Sequence, residues 1–229
     1  MIGLAHSDYI RLDMHVHTRY SRDSNIDPRK IGSILESKEM DGAAIVDHGS
    51  LEGFRECRRR TRRLIVPGME IYTSLGEILA LFVEQEITDS EFPDIVDSIR
   101  EQDAIIVLPH PFDWLRRHTF KLRELDEREI AEVFDCVEVL NSRCVFSSSN
   151  QKAEFFARKL RKPMIAGSDA HFSFEVGRAH IICKTVSDIE DIRIEILKHA
   201  VTPAGHISSF FVHALTLGLK LVRKGLIAS

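Results

Sequence analysis

The stretch Leu12-Asp13-Met14-His15-Val16-His17-Thr18-Arg19-Tyr20-Ser21-Arg22-Asp23 places two histidines one residue apart at the end of the first apolar segment. Strand side chains alternate, so residues i and i+2 share a face. With Ile10 to Met14 as a strand, both imidazoles lie on or just after it and point the same way. In a closed barrel that direction can be the central cavity. Taken alone, the pair reads equally well as ordinary hydrogen-bonding histidines.

Working outward, short apolar runs alternate with helical patterns. Pro28 to Met40 reads as a helix, with Asp27 as its cap and Pro28 at its first position. Gly42–Val46, Leu64–Ile71, Ala104–Leu108, Cys136–Leu140, Pro163–Ala166 and Ala179–Cys183 read as strands, the last being the final one expected. Ile78–Val83 is the expected hairpin partner of Leu64–Ile71. Helices are expected over Leu51–Arg63, Phe92–Glu101, Asp126–Val133 and Asn150–Leu160, and from a Ser187 cap to Ala200. Ile207–Lys224 reads as an amphipathic helix. Apolar strands alternating with helices imply a parallel sheet covered by helices. About seven such units, with polar residues after many different strands, favour a closed α/β barrel over an open sheet, because barrels gather such residues on one face. Residues 1–205 are expected to form the barrel, and 206–229 a helix packed on it or on a partner.

The 229 residues, 44% of them hydrophobic, suffice for one substantial core. A net charge of −4 gives no sign of a nucleic-acid footprint over the whole surface. The run from Arg58 to Arg63 is the local exception; it reads as a solvated helix face, with a phosphate-rich partner as the other reading. Cys57, Cys136, Cys144 and Cys183 make no CxxC pair, so buried reduced thiols are expected. No secretory leader pattern and no run of 18 uncharged apolar residues occur, so the expectation is a cytoplasmic protein without a membrane partner.

The strand ends settle how the first two histidines are read. IVDHG places Asp47 and His48 after the second strand, and PGMEI places Glu70 on the third. VLPHP places His110 after a later strand, and AGSDAH places Asp169 and His171 after another, again two residues apart. Five histidines and several carboxylates converge on one expected face. Burying so many polar groups without partners is costly. Divalent metal ions take mixed nitrogen and oxygen ligands of this kind. The donors exceed the need of one tetrahedral ion, which suggests two or three ions with Glu70 or Asp169 bridging. Such a cluster polarises a phosphoryl group and activates water.

The stretches DMHVHTRYSRD, IVDHGS, GMEI, LPHP and AGSDAH, in this order from Asp13 to His171, resemble the PHP family, named for polymerase and histidinol phosphatase. The resemblance implies a distorted seven-unit (β/α) barrel with a trinuclear metal site at the C-terminal ends of its strands. By motif, His15 and His17 would hold the first metal, with Glu70 and Asp169 completing or bridging it. His110 and Glu70 would hold a second. His48 and His171 would hold a third, with Asp23 standing where the family uses a histidine or aspartate. Relatives often carry a glycine-histidine pair where this chain has Gly76-Glu77, so Glu77 either replaces that imidazole or faces solvent. Manganese, zinc or iron are the expected metals.

Asp47 is a candidate for orienting a ligand, and Asn141 for touching substrate or supporting a ligand. Arg143 and Arg178 are candidates for clamping phosphate. His118, with Arg116, Arg117 and Lys121, lies in a polar insertion after LPHP that could cover the site. The leading expectation is hydrolysis of a small phosphomonoester or nucleotide phosphate by metal-activated water, dependent on Glu70, Asp169 and His171. A nuclease or phosphodiesterase acting on oligonucleotides, or a non-catalytic metal-stabilised interaction module, are the other readings.

Overall fold

The computed structural model describes residues 8–184, 188–216, 218 and 219. Nine strands form one sheet: β1 (Tyr9–Val16), β2 (Gly42–Ile45), β3 (Leu64–Thr73), β4 (Gly76–Leu81), β5 (Ile105–Leu108), β6 (Cys136–Asn141), β7 (Met164–Gly167), β8 (Ala179–Lys184) and β9 (Thr202–Gly205). Their order is β7-β6-β5-β4-β3-β2-β1-β8-β9. A parallel bridge between Val16 and Ala170 brings the end of β7 back to β1. Strands β1 to β7 thus make a distorted, nearly closed α/β barrel, as expected.

The sheet is mixed rather than parallel. β1, β2 and β3 are parallel, as are β5, β6 and β7, but β4 runs antiparallel to both of its neighbours. The turn from Thr73 to Gly76 is too short for a crossover, so it forces the hairpin. β8 pairs antiparallel with β1, and β9 with β8. β9 lies beyond the last strand expected; Pro203 and Gly205 disguise it, and both are tolerated because it is an edge strand.

Among the described residues the helices α1 (Ile31–Ser37), α2 (Glu52–Arg60), α3 (Phe92–Glu101), α4 (Glu127–Val133), α5 (Ser147–Leu160) and α6 (Ile189–Leu197) cover the sheet. The Asp27 side chain accepts from the backbone of Arg29 and starts a 3₁₀ turn over Pro28–Lys30 that leads into α1. α1 stops short of Met40, where Glu39 takes a left-handed conformation. Asp126 and Asp188 cap α4 and α6 with reciprocal capping boxes. The expected Ser187 cap lies outside the described residues. Of the expected Ile207–Lys224 helix, residues 207–210 are not helical, helical backbone runs over 211–216 and at 218 and 219, and the remainder lies outside the described residues.

One apolar cluster fills the inside of the barrel, with Leu12, Met14, Val46, Val66, Leu81 and Val107 among its members, and α6 adds Ile192 and Ile196. Two others pack the outer faces of the strands against α1 and α2, and against α3, α4 and α5. All four cysteines are buried free thiols. Among the described residues no helix is long and apolar enough to cross a membrane.

Candidate metal centre

Two irregular pairings aim the polar residues inward. Between Asp13 and Val16, β1 spends three steps while β2 spends two. Leu12 and Met14 face the inner cluster, whereas Val16 joins the outer one beside Ala43 and Ile45. The extra residue is a bulge, which turns the strand locally. It delivers His15 and His17 to the same cavity that Leu12 and Met14 line below. β6 repeats the device between Glu138 and Leu140, so that Glu138 and Asn141, three apart, meet inside. Gly167 on β7 admits the close approach of β1, since a side chain there would collide with His15.

The imidazoles are held with defined tautomers. His15 Nδ1 lies 2.9 Å from Glu138 Oε1 and must donate to it. Ser21 Oγ donates its single proton to Asp47 Oδ1 at 2.7 Å, so His17 Nδ1, 3.1 Å away, donates to Ser21. In their neutral, metal-binding forms both imidazoles then present Nε2 lone pairs, and the two Nε2 atoms lie 3.1 Å apart. His17 Nε2 also lies 3.1 Å from Glu70 Oε2 and 3.5 Å from Asp169 Oδ1, and His15 Nε2 lies 3.7 Å from each of those oxygens. Four acceptors thus converge on one point, and Asp169 Oδ1 is buried without a hydrogen-bond partner. Ligands at about 2.1 Å from a tetrahedral ion stand about 3.4 Å apart. The donor set therefore fits a divalent metal.

Glu70 faces two ways. Its other oxygen lies 3.3 Å from His110 Nε2, and Glu77 Oε2 lies 3.6 Å from the same nitrogen. Glu77 is buried and turned into the site, not exposed to solvent. On the opposite side, Asp23 Oδ2 lies 3.3 Å from His171 Nε2, and Asp23 Oδ1 lies 3.9 Å from His48 Nε2. His171 Nδ1 donates to the Asp169 carbonyl at 2.8 Å, leaving Nε2 as its acceptor. His15, His17 and Glu70; His17, Asp169 and His171; and His48, Glu70 and Glu77 each form a group able to hold an ion. His110 and Asp169 both adopt positive φ angles, 29° and 55°. Such strain persists only where surrounding structure enforces it.

Burial and neighbouring charges shift several of these groups. Burial disfavours charge on His15, yet Asp169, Glu138 and Glu70 together raise its pKa well above the usual histidine value. Burial opposes ionisation of Glu70, and His15, His110 and His17 outweigh it, holding the carboxyl well below its usual range. Asp169 is likewise held low against burial, by Arg116 first and then by the histidines. Glu77 goes the other way: burial and repulsion by Glu70 push it up to about 7. Burial, and then Arg143, depress His171 to about 4.

Supporting residues surround these groups. Asp47 accepts from the backbone N–H and hydroxyl of Thr18 and from Ser21, and so acts on His17 through Ser21. Asn141 donates to Asp169 Oδ2 at 3.2 Å and to Glu138 Oε2 at 3.0 Å. Arg143 lines the cavity, but its guanidinium forms an ion pair with Glu175 at 3.2 Å and donates to the Val212 carbonyl and the Thr216 hydroxyl. Arg178 is not among the residues lining the cavity. The cation that reaches the cluster is Arg116, paired with Asp169 and Asp113. Glu138, which also accepts from the His110 backbone at 3.0 Å, escaped the sequence reading. Its signal was a carboxylate inside the otherwise apolar strand CVEVL.

The donors open into a cavity of about 770 Å³. Its walls include Arg116, Arg117 and His118 from the insertion and Phe210, His213 and Thr216 from the C-terminal segment.

The uncharacterized protein MJ0417 of Methanocaldococcus jannaschii is 38% identical over 174 residues, 75% of this chain and 70% of that protein. The PHP-associated family model matches residues 147–201. Among solved structures, a two-domain protein of Bacteroides vulgatus containing a predicted PHP-like metal-dependent phosphoesterase superposes with a TM-score of 0.71 at 17% identity, over 86% of this chain and 65% of that one. The lesion-specific endonuclease PfuEndoQ of Pyrococcus furiosus superposes with a TM-score of 0.62 at 16% identity, over 83% of this chain and 56% of that one. The chain thus spans less than two thirds of either solved protein. A distorted barrel whose strand ends converge on histidines and carboxylates defines the class, and the chain belongs to the PHP family.

Proposed function

We propose that this protein is a metal-dependent phosphoesterase that hydrolyses a small phosphomonoester or nucleotide phosphate. The observation that carries this reading is the convergence of His15, His17, Glu70 and Asp169 on one point, with Glu70 turning its second oxygen to His110 and Glu77. In the proposal, His15 and His17 with Glu70 and Asp169 would hold a first divalent ion, His110 and Glu77 with Glu70 a second, and His48, His171 and Asp23 a third. Mixed imidazole and carboxylate donors suit manganese, iron or zinc. Such ions, when bound, polarise a phosphoryl group and activate water.

The chain's own residues do the rest. Glu138 and Ser21 fix the tautomers of His15 and His17, so that both Nε2 lone pairs face inward. Asn141 and Arg116 occupy Asp169 Oδ2, which leaves Oδ1 for ligation. Turnover is expected to depend on Glu70, Asp169 and His171.

The cavity's size lies in the range that takes small ligands, and the insertion and the C-terminal segment wall it. Both features favour a small substrate over a duplex. The arginine run belongs to α2 and the approach to β3, seven residues before Glu70 at its nearest, so it sits toward the far end of that strand. The barrel resembles that of a lesion-specific endonuclease, which keeps oligonucleotide cleavage as the second reading. In the proposal residues 1–205 form the hydrolytic barrel, and 206–229 an appended helix whose described part walls the cavity.

The test is phosphate release from a panel of phosphomonoesters and nucleotides, with chelated protein reloaded separately with manganese, zinc or iron. Strong metal-dependent release from one ester is expected. Silence across the panel with confirmed metal loading overturns the monoesterase reading, and cleavage of single strands instead selects the nuclease.

A further inference from the structure

The insertion between β5 and α4 carries a guanidinium that metal ligation does not use. Arg116 is rooted through Nε on Asp113 at 3.0 Å, and Asp113 is itself buried. Its Nη2 donates to Asp169 Oδ2 and, at 3.4 Å, to Asn141 Oδ1. A guanidinium has five N–H groups. The two on Nη1 have no hydrogen-bond partner among the described residues, and the side chain lines the cavity beside Glu70 and Asp169.

The segment is fastened rather than loose. Glu77 N–H donates to the His118 carbonyl at 2.7 Å, and Lys121 N–H to the Leu75 carbonyl at 2.6 Å. The Thr119 hydroxyl donates to the Asp113 carbonyl at 2.6 Å. Gly76 makes this docking possible. Its φ is +126°, and a Cβ there would stand 2.5 Å from Phe120 Cα. Arg143, the other arginine deep in the cavity wall, is committed to Glu175 and the C-terminal segment.

We propose that Arg116 reads the anion of the substrate: a free Nη1 N–H donates to a non-bridging oxygen of a phosphoryl group seated over Glu70 and Asp169. The inference rests on the phosphoesterase reading and names the group that recognises the ester. Five carboxylate residues, Asp23, Glu70, Glu77, Asp113 and Asp169, line the cavity. An approaching phosphate dianion therefore needs a fixed cation facing it. Pairing through Nε and Nη2 holds the guanidinium plane fixed, so the Nη1 donors keep one direction that a flexible ammonium would not.

The experiment is calorimetric binding of inorganic phosphate to the manganese-loaded full chain, in wild type, R116Q and R116K, with manganese per chain counted in each. R116Q, whose amide can still donate to Asp169 Oδ2, is expected to weaken phosphate binding about ten- to a hundredfold, the range of a lost charge-assisted hydrogen bond, when compared at manganese occupancy matched to wild type. R116K is expected to recover only part of the loss. Unchanged phosphate affinity in R116Q overturns the inference. So does a loss that merely follows lost manganese, which would reduce Arg116 to a prop for Asp169. Ester hydrolysis by wild type is scored separately. Phosphate bound through Arg116 with no ester turned over supports this inference and defeats the phosphoesterase reading, whereas turnover with phosphate binding indifferent to Arg116 does the reverse.

Discussion

Glu138 shows what a single buried carboxylate does for this site. It accepts from His15 Nδ1, from the His110 backbone and from Asn141, so one side chain orients three neighbours. Groups that orient metal ligands are worth about 10- to 100-fold in metal affinity. E138A is expected to lose that much manganese affinity by competition titration while His15 and His17 remain in place. Glu77 supplies a prediction in pH. Its carboxyl is raised from the ordinary 4.5 to about 7 in the fold. A raised carboxyl contributes stability that is fully present below the unfolded value and is lost as pH rises through the folded one. Metal-free protein should therefore lose part of its stability between about pH 4.5 and about pH 7. E77Q should flatten that part of a plot of melting temperature against pH. An unchanged slope would show that Glu77 does not titrate there. The ligand-type residues were legible because metal sites demand particular side chains at strand ends. Glu138 and Asp13 were not singled out, although each interrupts an apolar strand and each makes buried hydrogen bonds, Asp13 to Ser168 and Gly177.

At the scale of elements, the alternation of apolar runs and helical patterns is enough to place most strands and helices within a residue or two. α3 falls on Phe92–Glu101 in both readings. Two things escaped that pattern. Bulges carry no residue signature, yet those on β1 and β6 decide which side chains enter the cavity. β9 is an edge strand containing proline and glycine, and composition speaks against it. The insertion docks on the β3–β4 turn through Gly76, so G76A should cost about 1–3 kcal/mol through backbone strain and displace Arg116 with it. Urea unfolding measures the first effect, and weakened phosphate binding the second. Arg143 ties the C-terminal segment to Glu175, whose carboxylate accepts from the backbone N–H groups of His171 and Phe172 at 3.0 Å each. R143M leaves Glu175 buried without its cation, a change of the kind that costs about 3–5 kcal/mol. The same denaturation experiment should show that loss; a midpoint within error of wild type would mean that the pair contributes nothing.

Over the whole molecule, the chain separates support from chemistry. Leu12, Met14, Val46 and Val66 fill the barrel interior, and the donors stand where the same strands end. The apolar filling leaves no alternative partners for the buried imidazoles, which must satisfy one another's carboxylates or take up cations. The arginine-rich surface of α2 lies apart from this cavity, which the insertion and the C-terminal segment wall. If the strand-end cluster holds divalent ions in fixed positions, anomalous scattering from crystals of the manganese-loaded protein will locate them. A peak is expected enclosed by His15, His17, Glu70 and Asp169, and at least one more beside His110 and Glu77 or between His48, His171 and Asp23. Crystals with manganese in solution and no peak among these residues would contradict that expectation.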